Sequence, residues 1–325
     1  MIELIMVDFD VLDEQLIHAL QLDGRASFSR IGAVLGASDR TVARRYHRLR
    51  EAGAVRVVAV PSSRRLGWVD WLVRIQCAPD TAVAVAAAMA RREDTSWVCL
   101  NSGGLEVTCI THTNGQGRPL LQKLPRGPQI GAVTAQCMLR AVAGTAGWPG
   151  RTAALTQQQV DQLTPGPQSA EYDVPLELTD QDRLLLTELA KDGRIAYPAL
   201  AAATGVPESS ARRRLGELVR AGVLYFDVEA DPQLFGYATE AVLWMTVAPS
   251  ELTTVADALA HHPEIAFASA VTGPTNLFAF VLCRDADALY DYLATRIGAL
   301  PGVSHVDTAP VTSTLKRSGT VLPRR

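Results

Sequence analysis

The chain has 325 residues, of which 48% are hydrophobic and 20% are charged, and its formal net charge is −3. This length predicts about two domains of ordinary size, and the charge excludes a globally basic nucleic-acid-binding protein. The acidic N-terminal stretch is unlike a secretory signal, no run of about 18 apolar residues occurs, and the five cysteines lack metal-ligand spacing. We therefore expect a cytoplasmic protein with no membrane segment, no metal and no cofactor.

Residues 13–53 predict three helices in the order of a helix-turn-helix domain. The expected N-caps are Asp13, Ser27 and Ser38, and the expected stops are Gly24, Gly36 and Gly53. On the third helix, Val42, Tyr46 and Leu49 recur at i, i+4 and i+7, so this face is expected to pack on the first two helices.

The opposite face of the third helix is rich in arginine. It consists of Arg40, Thr41, Arg44, His47 and Arg48, with Arg45 at its flank. Guanidinium groups bond guanine edges bidentately and also bind phosphates, so this face suits the major groove of DNA. The alternative interpretation is a solvated helix face without a ligand.

The next segment predicts a mixed domain of strands and helices. A strand at 55–60 is followed by strands at 71–77, 97–102, 105–111 and 130–142, with helices at 81–89 and 116–124. From residue 71 the order is β-α-β-β-α-β, which is that of a ferredoxin-like domain. Residues 143–178 are then rich in Gly, Pro and Gln, and they predict a linker that contains a short helix at 156–163.

After the linker the same pattern begins again, 169 residues later. Positions 13–53 and 182–222 align without gaps, and 13 of the 41 positions are identical. Similarity of this length at a fixed offset indicates duplication. The second β-α-β-β-α-β pattern occupies 241–248, 251–261, 267–272, 277–283, 286–297 and 303–316.

The duplication predicts an α+β fold with two helix-turn-helix domains of winged-helix type and two ferredoxin-like domains. The predicted domains are 1–61 (helix-turn-helix), 62–142 (ferredoxin-like), 143–178 (linker), 179–230 (helix-turn-helix), 231–318 (ferredoxin-like) and 319–325 (tail).

Both helical segments resemble the opening of the Lrp/AsnC, or feast/famine, transcription regulators. The segments are LDEQLIHALQLDGRASFSRIGAVLGASDRTVARRYHRLREAGAVR and TDQDRLLLTELAKDGRIAYPALAAATGVPESSARRRLGELVRAGVL. The resemblance implies that a strand joins each helix-turn-helix to an effector domain, that effector domains pair as a dimer, and that they often bind an amino acid. One chain would then hold two subunits, with its effector domains packed together and Val55–Val60 paired with Leu224–Val228. Further association into a homo-oligomer of such pseudo-dimeric chains is also expected.

The family's effector-binding turn resembles Val271-Thr272-Gly273 here. The resemblance implies as effector-binding residues Gly103, Gly104 and Glu106 in the first half and Thr272, Gly273 and Asn276 in the second. The family's Tyr-Asp pair is replaced by Leu105-Glu106 and by Thr275-Asn276, and Pro274 stiffens the second turn. These departures leave the effector open between an amino acid and another small metabolite.

The two recognition helices are not equivalent. Arg40, Thr41, Arg44, His47 and Arg48 correspond to Ser209, Ser210, Arg213, Gly216 and Glu217. Arg212 and Arg214 flank the second face and are expected to reach phosphates. We predict that the first domain dominates the affinity for duplex DNA and that the site is asymmetric. An alternative is that Glu217 accepts a hydrogen bond from a cytosine amine, so that the second helix reads a different half-site.

Two other functions remain open. Siroheme decarboxylases share the two-domain architecture and include fused chains, but the first half of those enzymes departs from the regulator pattern after the first helix. Here that position reads DGRASFSR and DGRIAYPA, as in regulators, and no Walker loop, HExxH, GxSxG or CxxC motif occurs. We therefore expect no catalytic residues. The second alternative is an effector-binding or partner-binding protein that has lost DNA binding.

Overall fold

The computed structural model describes residues 8–113, 130–144, 148, 150, 153–165 and 178–322. The chain divides into two compact units. Residues 1–68 and 151–231 form one unit, here called the helical unit, and residues 69–150 and 232–324 form the other, called the sheet unit. The halves of the duplication are therefore sorted by type, with both helix-turn-helix segments in one unit and both ferredoxin-like segments in the other.

The first helix-turn-helix consists of α1 (Val11–Leu22), α2 (Phe28–Leu35) and α3 (Asp39–Glu51). Ser27 and Ser38 cap α2 and α3 by accepting from the backbone N–H of Arg30 and Thr41, as predicted. Gly36 has the left-handed φ of 69° that the turn between them requires.

Two expectations for α1 were wrong. Its N-cap is Asp10, whose side chain accepts from the N–H of Leu12 and Asp13, while Asp13 is the third helical residue and accepts from the N–H of Asp10. This reciprocal pair is a capping box. The helix ends at Leu22, so Gly24 is not its stop. A Cβ on Gly24 would lie 2.6 Å from Cβ of Phe226, so glycine is required there by the close approach of another segment.

The second helix-turn-helix consists of α6 (Asp180–Lys191), α7 (Tyr197–Thr204) and α8 (Glu208–Arg220). Thr179 and Asp182 form its capping box, and Pro207 occupies the N-cap of α8 without a side-chain bond. The linker helix α5 (Gln157–Leu163) belongs to the helical unit and packs on α1 and α2.

A pair of strands joins the two helix-turn-helix segments. Strands β1 (Val55–Pro61) and β6 (Leu224–Ala230) pair antiparallel, as the resemblance implied. Val58 lies opposite Asp227. Because 227 − 58 = 169, each of these residues faces its own counterpart in the repeat, and the pseudo-two-fold axis passes between them.

The sheet unit contains both β-α-β-β-α-β segments. The first segment has β2 (Val69–Cys77), α4 (Ala82–Ala90), β3 (Thr95–Asn101), β4 (Glu106–Thr113) and β5 (Ile130–Ala143). The predicted helix at 116–124 lies outside the described residues. The second segment has β7 (Thr239–Val247), α9 (Leu252–Ala260), β8 (Ile265–Val271), β9 (Leu277–Cys283), α10 (Ala286–Asp291) with a π-helical continuation to Ile297, and β10 (Val303–Arg317). The short strand β11 (Thr320–Val321) follows.

Long strands at the ends of the two segments join them into one sheet. β5 pairs with β2 of its own half and then with β8 of the other half, while β10 pairs with β7 and then with β3. Both halves contribute to the core between them, where the ring of Trp97 lies 5.2 Å from that of Phe280. The two ferredoxin-like segments therefore pack on each other within one chain. No helix among the described residues has the length and hydropathy of a membrane span.

Candidate DNA-binding and effector sites

The exposed face of α3 carries two arginines whose side chains bond no other residue that the structure describes. Arg40, Arg44 and His47 are exposed, whereas Val42, Tyr46 and Leu49 on the other side of the helix are buried. Within the described part of the chain, the guanidinium groups of Arg40 and Arg44 have no acceptor. The Thr41 hydroxyl lies 2.8 Å from that of Ser38, so it belongs to the N-terminal cap of the helix.

Two further arginines of α3, Arg45 and Arg48, bind acidic residues at the N-terminal end of α1. Arg45 lies 2.8 Å from Asp10 and 3.0 Å from Asp13, and Arg48 lies 2.6 Å from Asp13. The Asp13 side chain is fully buried, and a buried carboxylate requires a cationic partner. Arg48, which the sequence places on the exposed face, is therefore partly engaged in an internal ion pair, with its side chain 38% exposed. Arg45 and Arg48 hold α3 on α1 and so position Arg40 and Arg44.

On α8, each arginine of the predicted site has an acidic partner. Arg212 pairs with Glu208 at 3.1 Å and Arg213 pairs with Glu217 at 2.6 Å. Arg214 binds Asp182 at 2.7 Å and Glu217 at 3.1 Å, and the pair of Arg214 with Asp182 repeats that of Arg45 with Asp13. Hydrogen bonds from Arg214, together with those from Arg213, lower the pKa of Glu217 against the effect of desolvation.

The two helix-turn-helix segments are joined by a reciprocal pair of arginines. Arg25 donates to the carbonyls of Gly193 and Ile195, and Arg194 donates to those of Gly24 and Ala26. The Arg25 guanidinium also lies 4.7 Å from the centre of the Tyr197 ring, and that of Arg194 lies 4.5 Å from the Phe28 ring. These contacts fix the relative placement of the two recognition helices.

The first predicted effector turn is formed by Ser102, Gly103 and Gly104, all with positive φ. The Glu106 carboxylate that follows is buried and accepts from Nε of Arg74 at 2.6 Å. Arg74 also binds Asp307 of β10 at 2.5 Å. The structure therefore uses Glu106 in an internal ion pair that joins the two halves, rather than presenting it to a ligand.

The second predicted effector turn is held from two sides. The Asn276 side chain accepts from the Val247 N–H at 2.9 Å and donates to its carbonyl at 2.8 Å. The Thr272 hydroxyl accepts from the N–H of Cys137 at 2.9 Å. Gln136, the residue before Cys137 on β5, donates to the Thr272 carbonyl at 2.7 Å. Sequence reasoning missed Gln136, because the pairing of β5 with β8 leaves no periodic signal.

The structure shows no cluster of three or more His, Cys, Asp or Glu side chains that suits a metal ion among the residues it describes.

Comparisons with known proteins match domain models to both halves of the duplication. The family model of the AsnC-type helix-turn-helix domain matches residues 9–50, a winged helix-turn-helix DNA-binding model matches 178–225, and the Lrp/AsnC ligand binding domain model matches 240–321. An HTH-type transcriptional regulator of Pyrococcus horikoshii is 30% identical over 142 residues, which are 43% of this chain and 90% of that protein. The regulator LrpA of the same organism is 25% identical over 140 residues, 43% of this chain and 99% of LrpA.

A solved structure covers both halves at once. The siroheme decarboxylase NirDL matches 95% of this chain and 93% of its own with a TM-score of 0.63, at 14% sequence identity. At that identity the likeness shows the fold alone. The two regulators of Pyrococcus horikoshii named above, in contrast, match by sequence and have about half this chain's length. The chain therefore belongs to the Lrp/AsnC family of helix-turn-helix transcriptional regulators, in a form that carries two such halves in one polypeptide.

Proposed function

We propose that this protein regulates transcription by binding duplex DNA as an intramolecular pseudo-dimer, with α3 as the dominant reader of an asymmetric site. The observation that carries the proposal is the difference between the two recognition helices. Arg40 and Arg44 are exposed with no internal acceptor among the described residues, whereas Arg212, Arg213 and Arg214 each have an acidic partner.

An arginine without an ion-pair partner can bind DNA at a lower free-energy cost than an arginine that must first leave an acidic partner. A bidentate contact to a base is worth about 1–3 kcal/mol of discrimination, and Arg44 would form one without breaking any side-chain bond to the described residues. Arg213 would first have to leave Glu217, and that carboxylate would then lie near the DNA phosphates. The first helix-turn-helix is therefore the stronger half of the pair.

The duplication removes the symmetry that identical subunits impose. A dimer of identical chains reads half-sites related by a two-fold axis. Here the two halves share the framework around the Val58–Asp227 axis but differ on the exposed faces of α3 and α8. The predicted operator consequently has one strong and one weak half-site, separated by about one helical turn of DNA.

We also propose that the protein binds a small-molecule effector and that its chains associate in the cytoplasm. The match of residues 240–321 to a ligand binding domain supports a small-molecule effector, either an amino acid or another metabolite. We propose a cytoplasmic protein without enzymatic activity, in which pseudo-dimeric chains associate further. Light scattering of the purified protein checks this last point.

A footprint on the DNA that flanks the protein's own gene tests the function. Binding should protect a site there, and the logarithm of the affinity should fall linearly with the logarithm of salt concentration, as counterion release requires. The same assay with a panel of amino acids tests the effector. Absence of any protected site, together with a haem-type absorbance band on adding siroheme, would contradict the proposal and favour the decarboxylase alternative. Absence of both would favour a partner-binding protein that has lost DNA binding.

A further inference from the structure

The turn of residues 272–276, between β8 and β9, holds three oxygen acceptors around a single nitrogen. Nε2 of Gln136 lies 2.7 Å from the carbonyl of Thr272, 2.7 Å from the carbonyl of Thr275 and 3.1 Å from the hydroxyl of Thr275. Gln136 comes from the first half of the duplication, and only 8% of its surface is exposed. The turn of the second half thus binds a side chain of the first.

The acceptors have the chemistry of a site for an amine. A carboxamide nitrogen carries two hydrogens and an ammonium group carries three, so a primary amide satisfies two acceptors at a time and an ammonium satisfies all three. The backbone of the turn is shaped to this nitrogen. Gly273 has a φ of 104°, and a Cβ at that position would lie 3.0 Å from Nε2 of Gln136. A larger residue there would therefore be strained and would press on the bound nitrogen.

Nearby hydrogen bonds hold the acceptors in place when the nitrogen is removed. The hydroxyl of Thr246 donates to the carbonyl of Pro274 at 3.0 Å, and Asn276 makes two bonds to the backbone of Val247. The Thr272 N–H donates to the carbonyl of Cys137 at 2.9 Å. These bonds do not involve the side chain of Gln136, so the turn is pre-formed.

We propose that the chain fills the turn of residues 272–276, the turn that the family resemblance implies for an effector, with its own Gln136 carboxamide; this inference rests on the proposed function of residues 240–321 as a ligand binding domain. The occupied turn ties the two effector segments together. A small molecule with an amine group reaches these acceptors only by displacing Gln136, so in the wild-type protein Gln136 competes with such an effector and weakens its binding at this turn.

Among the described residues, the first half has no equivalent of this arrangement. Gln136 pairs with Leu72 in the register of β5 and β2, and Ala309 pairs with Val242 in the register of β10 and β7. Leu72 and Val242 are equivalent because Ala78 and Ala248 share the same offset of 170 residues. Ala309 is therefore the counterpart of Gln136, and it has no polar side-chain atom. The filled turn is a feature of the second half.

Replacement of Gln136 tests the proposal through chemical rescue. The full chain and its Gln136→Ala variant are unfolded thermally in methylammonium chloride, in acetamide, and in tetramethylammonium chloride, which has no N–H donor. We expect methylammonium and acetamide to raise the melting temperature of Gln136→Ala saturably, by about 2 °C or more over wild type. Tetramethylammonium should give no such difference. A Gln76→Ala variant, which removes an exposed glutamine of β2, should behave as wild type.

An equal response of wild type and Gln136→Ala, or no response of either, would overturn the proposal. If Gln136→Ala does not fold, hydrogen exchange of the wild-type side-chain amides decides. The Gln136 amide should then exchange much more slowly than that of the exposed Gln158, and equal rates would contradict the proposal. These readouts concern stability and exchange, so they do not depend on whether the chain binds DNA.

Discussion

Arg25 and Arg194 occupy equivalent positions in the two repeats, and each binds the backbone on both sides of the other. Arg25 donates to the carbonyls of residues 193 and 195 at 2.6 and 3.0 Å, and Arg194 donates to those of residues 24 and 26 at 2.7 and 2.9 Å. This reciprocity is that of a two-fold interface between identical subunits. Here the same interface is formed within one chain.

Loss of either arginine should destabilise the helical unit. Hydrogen bonds to a charged group contribute about 1.5–3 kcal/mol each, and Arg194→Ala or Arg25→Ala removes two, so we expect each to lower the free energy of unfolding by about 3 kcal/mol or more. Denaturant unfolding measures the loss, with Arg40→Ala as an exposed control. A loss equal to that of Arg40→Ala would show that the reciprocal bonds do not hold the unit together.

Trp148 should prove essential for the sheet unit, although it comes from a segment whose composition predicts a linker. Its side chain is 3% exposed, its ring lies 4.7 Å from that of Tyr237, and its Nε1 donates to the carbonyl of Pro263 at 2.7 Å. Replacement of a buried tryptophan by alanine costs about 3–5 kcal/mol. We expect a loss of that size for Trp148→Ala in calorimetry, and almost none for Tyr290→Ala, which is 70% exposed. Equal effects would contradict the packing described.

Acid should loosen the linker helix α5 from α1. Nδ1 of His18 accepts from the Leu155 N–H at 3.1 Å, and burial lowers the pKa of His18 below its usual value of 6.5. The unfolded chain therefore binds the proton more readily than the folded one. The stabilisation is fully present above about pH 6.5 and is lost as the pH falls towards the lowered pKa.

Hydrogen exchange of the Leu155 amide checks this prediction. Its protection should decrease between pH 7.5 and pH 5.5 in the wild type, after correction for the intrinsic pH dependence of exchange. His18→Gln keeps an acceptor without a titrating group, so the decrease should be smaller in that variant. His112 and His262 also have pKa values lowered by burial, and they contribute equally to both proteins. A decrease that persists unchanged in His18→Gln would contradict the assignment of the effect to His18.

The sequence was sufficient to predict which side chains the recognition helices expose. It was not sufficient to predict which of these side chains bind buried residues of neighbouring helices. Periodicity indicated both faces of α3, and the repeat indicated that β1 pairs with β6. Sequence placed the N-cap at Asp13 instead of Asp10 because two aspartates three residues apart both suit a capping box. Pairing of Arg48 with Asp13 depends on the burial of a carboxylate, which follows from the packing of three helices rather than from local pattern.

The contacts of the predicted effector turns were harder to predict than those of the recognition helices, because they depend more on long-range packing. The strands, and the helices among the described residues, could be predicted from hydrophobic alternation and from the repeat. The Gln136 bond to the second turn depends on how far β5 extends past its own half to reach β8, and turn residues alone do not encode that extension. Packing of α5 likewise rests on Leu163, fully buried although its segment is mostly polar.

Removal of the Glu217 carboxylate should strengthen DNA binding. Glu217 pairs with both Arg213 and Arg214, so Glu217→Gln releases Arg213 and removes a negative charge near the phosphates. One additional phosphate contact should make the slope of log affinity against log salt more negative by about one. Glu51→Gln, at the exposed end of α3, is the matched control. Weaker binding by Glu217→Gln would instead support a direct contact of this carboxylate with a cytosine amine.

The central claim is that α3 dominates the reading of an asymmetric operator, and one comparison tests it most directly. The affinities of wild type, Arg44→Ala and Arg213→Ala are measured on the footprinted operator, with either half-site intact or scrambled. We expect Arg44→Ala to lose about 1–3 kcal/mol of binding free energy, Arg213→Ala to lose clearly less, and scrambling to matter mainly in one half-site. Equal losses from the two substitutions, or a footprint with two equivalent palindromic half-sites, would contradict the claim.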